Sequence, residues 1–145
     1  MAMVGLKFTR LFFDRKAVIS RVDKATRKVL SRFGAFVRQT ARKSIRKRTK
    51  TSEPGQPPSS HTGLLKRFIF FGFDPQKSSV VIGPQRLSQK GRGAAPALLE
   101  HGGKTTLKRR GKRVKAKVRQ RPFMGPAFEK EQPQLPALWR NSVKR

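Results

Sequence analysis

The sequence predicts an α+β fold: a long N-terminal amphipathic helix packed on a small antiparallel sheet, with a shorter C-terminal helix. Three observations predict it. Apolar residues recur at helical spacing over nearly thirty positions near the start, two pairs of short β-prone runs follow around turn residues, and an apolar stretch opened by Pro126 closes the chain. A length of 145 residues fits one domain, taken as residues 1–145.

Taken in order, Val4, Leu6 and Phe8 alternate with Gly5, Lys7 and Thr9, which predicts a first short strand. Asp14 is placed to cap the helix that follows. Val18, Val22, Ala25, Val29, Phe33 and Phe36, with Ile19, Leu30 and Val37, share one arc at about 100° per residue. Arg21, Lys24, Arg27, Lys28, Arg32, Arg38 and Arg42 share the opposite arc. The pattern predicts a helix over residues 14–42, about 40–45 Å long, with Val22, Val29, Phe33 and Phe36 facing the sheet. Gly34 is a weak helix former inside it.

Residues 47–63 (KRTKTSEPGQPPSSHTG) read as a loop too polar for the core, expected to be mobile or shaped by a partner. Residues 64–73 (LLKRFIFFGF) should include a strand, Asp74-Pro75 starts a turn, and residues 79–82 form a second strand closed by Gly83-Pro84. A further mobile loop is expected at about 85–95. Residues 96–101 (PALLEH), followed by Gly102-Gly103, read as a short helix with Pro at its start and Gly at its end. Residues 105–107 and 114–118 then flank the basic turn KRRGKR, which predicts a hairpin arm over about 104–121. Val114, Ala116 and Val118 alternate with Lys115, Lys117 and Arg119, so one face of that arm should be basic. The last helix should run from Pro126 through Phe128, Leu135, Leu138 and Trp139, kinked or split by Pro133 and Pro136.

Charge sets the expected partners. Lys and Arg number 36 against 7 acidic residues, a formal net charge of +29, which calls for a polyanion or an acidic protein. Eleven Phe and a 35% hydrophobic content argue for a folded domain rather than a disordered basic tail. With no cysteine there are no disulfides and no thiolate metal sites. No apolar run nears the roughly 18 residues of a membrane span, so no membrane partner is expected. Asp14 and Arg15 interrupt the apolar start and no cleavage site follows, so a signal peptide is not expected and the setting is the cytoplasm of the producing cell.

Catalytic signals are weak. Gly103-Lys104-Thr105 resembles the end of a phosphate-binding loop, but Leu98 stands where the first glycine is needed. His61 and His101 lack metal-ligand spacing, and Glu129 and Glu131 fall on different helix faces. Neither an enzyme nor a cofactor or metal is expected. The basic run is more telling: Lys108, Arg109, Arg110, Lys112, Arg113, Lys115, Lys117, Arg119 and Arg121 lie within fourteen residues. Its bland reading is a solvated surface. Its density favours contact with phosphate or an acidic partner, for which Lys108, Arg109, Arg110, Lys112, Arg113, Lys115 and Lys117 are the candidates. Aromatics are not interleaved, so stacking on single-stranded bases is not indicated, and no zinc finger or helix-turn-helix is present.

Several motifs occur in a fixed order: Pro54-Gly55-Gln56-Pro57-Pro58, then His61-Thr62-Gly63-Leu64, then Val80-Val81-Ile82-Gly83-Pro84. Ala97-Leu98-Leu99-Glu100-His101-Gly102 follows, and Arg121-Pro122-Phe123-Met124-Gly125-Pro126-Ala127-Phe128-Glu129 closes the series. Over about residues 14–140 this layout resembles the head–tail joining or tail-completion (neck) proteins of tailed bacteriophages, the minor tail protein Z-like family. Relative to that layout, His101 replaces an aromatic and the run from Lys108 to Arg121 is more basic.

The resemblance implies a non-enzymatic structural subunit of the virion neck, assembled in the host cytoplasm. It would form a homo-oligomeric ring, sixfold or twelvefold, against head-connector and tail proteins, with packaged DNA passing through. It also implies structural roles for Gly63, Leu64, Gly83, Glu100, Gly102, Arg121, Pro122, Phe123 and Pro126. Of these, Arg121 can anchor to a carboxylate or backbone carbonyls, Phe123 can plug the core and Pro126 can start the last helix. An assembly chaperone or tail terminator is a near alternative. A basic nucleic-acid-binding protein, ribosomal-protein-like or nucleoid-associated, is the alternative from another class, and composition alone would favour it.

Overall fold

The computed structural model describes residues 14–85 and 95–143, excluding the side chains of 107–109. Both the alternating stretch at Val4–Phe8 and most of the expected loop at 85–95 lie outside the described residues. Helix α1 (Arg15–Ser44) is followed by a single turn, α2 (Leu64–Arg67), and by strands β1 (Ile69–Asp74) and β2 (Ser79–Pro84). Helix α3 (Ala95–His101), strands β3 (Gly103–Arg109) and β4 (Lys112–Val118), helix α4 (Met124–Glu131), a 3₁₀ turn (Gln132–Gln134) and helix α5 (Leu135–Trp139) complete the chain. The class is α+β as expected. The two hairpins form two separate two-stranded antiparallel sheets rather than one.

Helix α1 starts where Asp14 accepts the Ala17 amide at 3.0 Å, satisfying one of the first-turn donors. Arg42 and Lys43 occupy its last turn, where cations favour the helix dipole. One side of α1 carries β1 and β2, and another carries α4 and α5. The core gathers along this seam from Phe33, Val37, Ala41, Ile45, Ile69, Phe123 and Ala127, all at most 3% exposed. Phe33 meets Phe128 edge to face with centroids 5.8 Å apart, the geometry that aromatic quadrupoles favour.

Gly34 explains itself here. A Cβ at that position would lie 2.8 Å from Val80 Cγ2 and 2.9 Å from Phe71 Cδ2, so its absence lets the sheet approach the helix. Nearby, Arg38 donates its Nε to the Ile69 carbonyl at 2.7 Å and stacks over Phe70 at 5.8 Å. Strand β1 therefore leaves the helix beside Arg38, passes Gly34 with Phe71, and ends with Phe73 near Thr26 and Arg27.

That geometry corrects one expectation. Val22 does not face the core: it is 44% exposed, and Val18 and Ile19 are similarly open. A six-residue strand spans about 20 Å, less than half of the roughly 45 Å that thirty helical residues cover, so α1 overhangs the sheet. From Ala25 onward the apolar arc is buried or half-buried, and Phe36 lines a depression with Phe123, Pro126 and Ala127, so it lies on the α4 side rather than facing the sheet as expected.

The polar segment 47–63 is also more integrated than its composition suggests. Ser52 and Ser60 are buried, as is Pro58. The Ser60 amide donates to the Arg46 carbonyl at 3.0 Å, and Arg46 and Ser59 form a parallel bridge. Helix α2, absent from the sequence reading, follows Gly63, whose φ of 76° supplies the left-handed entry. At the other end of the chain, Pro133 and Pro136 divide the terminal helix as expected.

Two substitutions test this packing by denaturant unfolding. Phe33→Ala is expected to cost about 3–5 kcal/mol, and a loss below about 1 kcal/mol would show that the site is not core. Gly34→Ala is expected to destabilise by about 1–3 kcal/mol through overpacking, although alanine is the better helix former.

Candidate nucleic-acid interface

The site is organised by a single carboxylate. Glu100, at the end of α3, accepts the Phe123 and Met124 amides at Oε2 (2.9 and 3.0 Å) and the Gly125 amide at Oε1 (2.7 Å). These are the orphan donors at the start of α4, and a negative charge there also favours the helix dipole. Phe123, beside them, is buried at 1% exposure. The contact thus joins α3 to α4 and pins α4 to the core.

Arg121 completes the junction. Its Nε donates to the Ser52 carbonyl at 2.9 Å and its backbone amide donates to the Leu99 carbonyl at 2.6 Å. One turn further along the loop, the Gly55 amide donates to the Gln120 carbonyl at 2.9 Å. Loop 47–63, helix α3 and the segment after β4 are therefore stitched together at the root of the second hairpin. Gly102 lies there at φ 74°, and a Cβ on it would meet the Val118 carbonyl at 3.1 Å. Of the residues singled out by the resemblance, Glu100, Gly102, Arg121 and Phe123 meet in this junction, and Pro126 lies in the first turn of α4. Pro122 falls between the two anchors Arg121 and Phe123. Gly63 and Leu64 sit apart at α2, and Gly83 in β2.

From this root the β3–β4 hairpin extends as an arm. Among the described residues each strand makes its extensive contacts only with the other. Seven residues per strand give a reach of about 20 Å. The turn residues Arg110 and Gly111 both have positive φ (49° and 81°), the backbone a two-residue hairpin turn demands. The partial phosphate-loop match Gly103-Lys104-Thr105 falls inside β3 and opens no helix, which removes the context that motif needs.

Register divides the basic run. Lys104 pairs with Lys117, Thr106 with Lys115 and Lys108 with Arg113, so Lys104, Thr106, Arg113, Lys115 and Lys117 share one face. All five are exposed. Val114, Ala116 and Val118 share the other face with Thr105 and Lys112. Arg110 sits in the turn, and the side chains of Lys108 and Arg109 lie outside the described ones. Of the predicted contact residues with described side chains, Arg113, Lys115 and Lys117 share the first face, while Lys112 lies on the other and Arg110 in the turn. Lys104 joins the basic face although the sequence reading omitted it, since only the pairing places it opposite Lys117.

A second basic cluster went unrecognised in the sequence. Lys43, Arg46, Arg48 and Lys50 line a depression of about 530 Å³ together with Ser52 and Glu53. The Ser52 hydroxyl is buried and finds no hydrogen-bond partner among the described residues. Lys50 lies two residues from the Ser52 tie to Arg121, so this cluster sits near the root of the arm. Charge density in segment 46–50 was visible in the sequence; its position was set by the long-range ties.

The carboxylates do little to offset this charge. Of the seven in the chain, four direct their oxygens to amides or neutral side chains: Asp14, Asp74, Glu100 and Glu131. Glu131, buried at 7% exposure, takes the Thr40 hydroxyl and the Gln134 amide group. Among the described residues no three His, Cys, Asp or Glu gather as a metal site would require, and no helix is long and apolar enough to cross a membrane.

No protein-family model, curated protein or solved structure matches this chain.

Removing the Glu100 carboxylate leaves three amides without acceptors. Glu100→Ala is expected to destabilise by about 1–3 kcal/mol in urea or guanidinium unfolding, and Glu100→Gln, which keeps one acceptor oxygen, by less. Equal stability of all three proteins would show that water replaces the carboxylate at no cost.

Proposed function

We propose that this protein is a non-enzymatic structural subunit of the neck of a tailed-bacteriophage particle, forming a ring that joins the DNA-filled head to the tail. The supporting observation is an arm on which no other element packs extensively among the described residues, and which is held at its root by the motif residues on which the resemblance rests. A subunit that holds out a rigidly rooted hairpin can offer the face carrying Val114, Ala116 and Val118 to a neighbour, and repeated head-to-tail contacts of that kind close into a ring.

Exposed apolar surface supports the same reading. On the outer face of the β1–β2 sheet Phe70 is 46% and Val81 66% exposed, while Val18, Ile19 and Val22 stand open on the overhanging end of α1. Among the described residues neither edge of this two-stranded sheet pairs with a further strand. In a ring these surfaces acquire partners, either a second copy or the adjoining connector and tail proteins.

A second reading, a basic nucleic-acid-binding protein, is favoured by one observation: the formal net charge of +29, which an external polyanion would neutralise. Mass measurement separates the two. Nuclease-treated protein is expected to run as one closed oligomer, sixfold or twelvefold, by light scattering and electron microscopy. Val81→Glu is expected to leave the subunit fold within about 0.5 kcal/mol and to dissociate that oligomer. A protein that stays monomeric at high concentration without nucleic acid would refute the ring.

A further inference from the structure

The β3–β4 hairpin is built against its own stability. Directly opposed like charges disfavour a strand pair, and here Lys104 stands opposite Lys117, Lys108 opposite Arg113 and Arg109 opposite Lys112. Among the described residues no other element packs extensively on either strand, and a lone two-stranded hairpin is marginal in water. A ladder with three cationic cross-strand pairs, and no covering layer among the described residues, is one that anions alongside it would stabilise.

We propose that the basic face of this arm binds the phosphate backbone of duplex DNA, and that the bound phosphates stabilise the hairpin. The proposal deepens the neck reading and rests on it for the choice of duplex DNA as the polyanion. Lys104, Arg113, Lys115 and Lys117 supply the cations and the Thr106 hydroxyl an additional donor, all on one exposed face. Lys and Arg displace condensed counterions without reading sequence, so binding is salt-sensitive and sequence-tolerant.

The chemistry of that face selects its partner. Protein interfaces concentrate apolar and aromatic anchors at their centre and exclude lysine from it; this face has no apolar or aromatic residue among its described side chains. The same lack removes the stacking platforms that single strands use. A two-stranded ribbon fits the major groove of B-form DNA, whereas the major groove of A-form RNA is too narrow for it. Lys43, Arg46 and Lys50, near the root, extend the positive surface beyond the arm.

The proposal makes two measurements move in opposite directions. The full-length protein is titrated with a fluorescent duplex about two helical turns long, at several salt concentrations, and backbone hydrogen exchange is followed in residues 103–118. In the Lys104→Gln/Lys117→Gln variant, the slope of log affinity against log salt is expected to fall by up to about 1.8, about 0.9 per lost phosphate contact. Exchange in the arm of the same variant without DNA is expected to slow, because an opposed like-charge pair has been removed. In the unsubstituted protein, DNA is expected to slow arm exchange, and Lys104→Arg/Lys117→Arg is expected to keep both DNA responses.

An unchanged salt slope in the Gln variant, or no DNA effect on arm exchange, would overturn the proposal. So would equal protection by A-form RNA, or stronger protection by polyglutamate, which would assign the arm to RNA or to an acidic protein. Ring formation is measured separately by mass on nuclease-treated protein, so loss of the ring and loss of DNA binding are distinguishable.

Discussion

Three backbone amides at the start of α4 converge on the two oxygens of Glu100, and most of the tertiary arrangement beyond the α1 core depends on that contact. A helix start buried without acceptors would leave donors unsatisfied, and no backbone carbonyl is positioned to serve three of them together. The carboxylate supplies the acceptors and a charge of the right sign for the helix dipole. Because Phe123 enters the core at the same point, fixing the helix start also fixes the seam between α1 and α4. Arg121 on the Ser52 carbonyl and Gly55 on the Gln120 carbonyl extend the junction to the polar loop. The root of the basic arm is thereby held by hydrogen bonds.

This use of carboxylates bears on the whole surface. A chain with 36 basic and 7 acidic residues could pair its few acids with lysines and arginines to reduce self-repulsion. Instead Asp14, Asp74, Glu100 and Glu131 direct oxygens to backbone amides or neutral groups. Exposed ion pairs contribute little, commonly under about 1 kcal/mol, whereas an orphaned buried donor costs about 1–3 kcal/mol, so caps are the more effective use of a scarce acid. The consequence is a folded core with satisfied ends and an outer surface of nearly one sign.

Shape divides that surface into regions with different demands. Helix α1 outruns the sheet it packs on, leaving Val18, Ile19 and Val22 open, and Phe70 and Val81 lie on the outer sheet face. Those apolar regions suit protein contacts. The arm face formed by Lys104, Arg113, Lys115 and Lys117 suits phosphate. One small chain thus presents separate apolar and cationic surfaces, a division that the proposed ring around DNA would use.

The sequence by itself determined the elements whose signal is local. Helical periodicity located α1 to within two or three residues, Asp14 marked its start, and the Gly and Pro turns delimited both hairpins. Pro133 and Pro136 foretold the divided last helix, because proline lacks an amide wherever it stands. The tertiary structure alone decided where the apolar arc of α1 stops being core, since burial depends on the length of the sheet opposite it. It also decided that Ser52 and Ser60 are buried within a polar loop, and that Glu100 serves a helix more than twenty residues away. The division of the basic run between two faces required the register that sets Lys104 against Lys117. A local signal survives in sequence because the interacting groups are covalent neighbours. The Glu100 cap, the Ser52 tie and the arm register pair groups that only the folded chain brings within hydrogen-bonding distance.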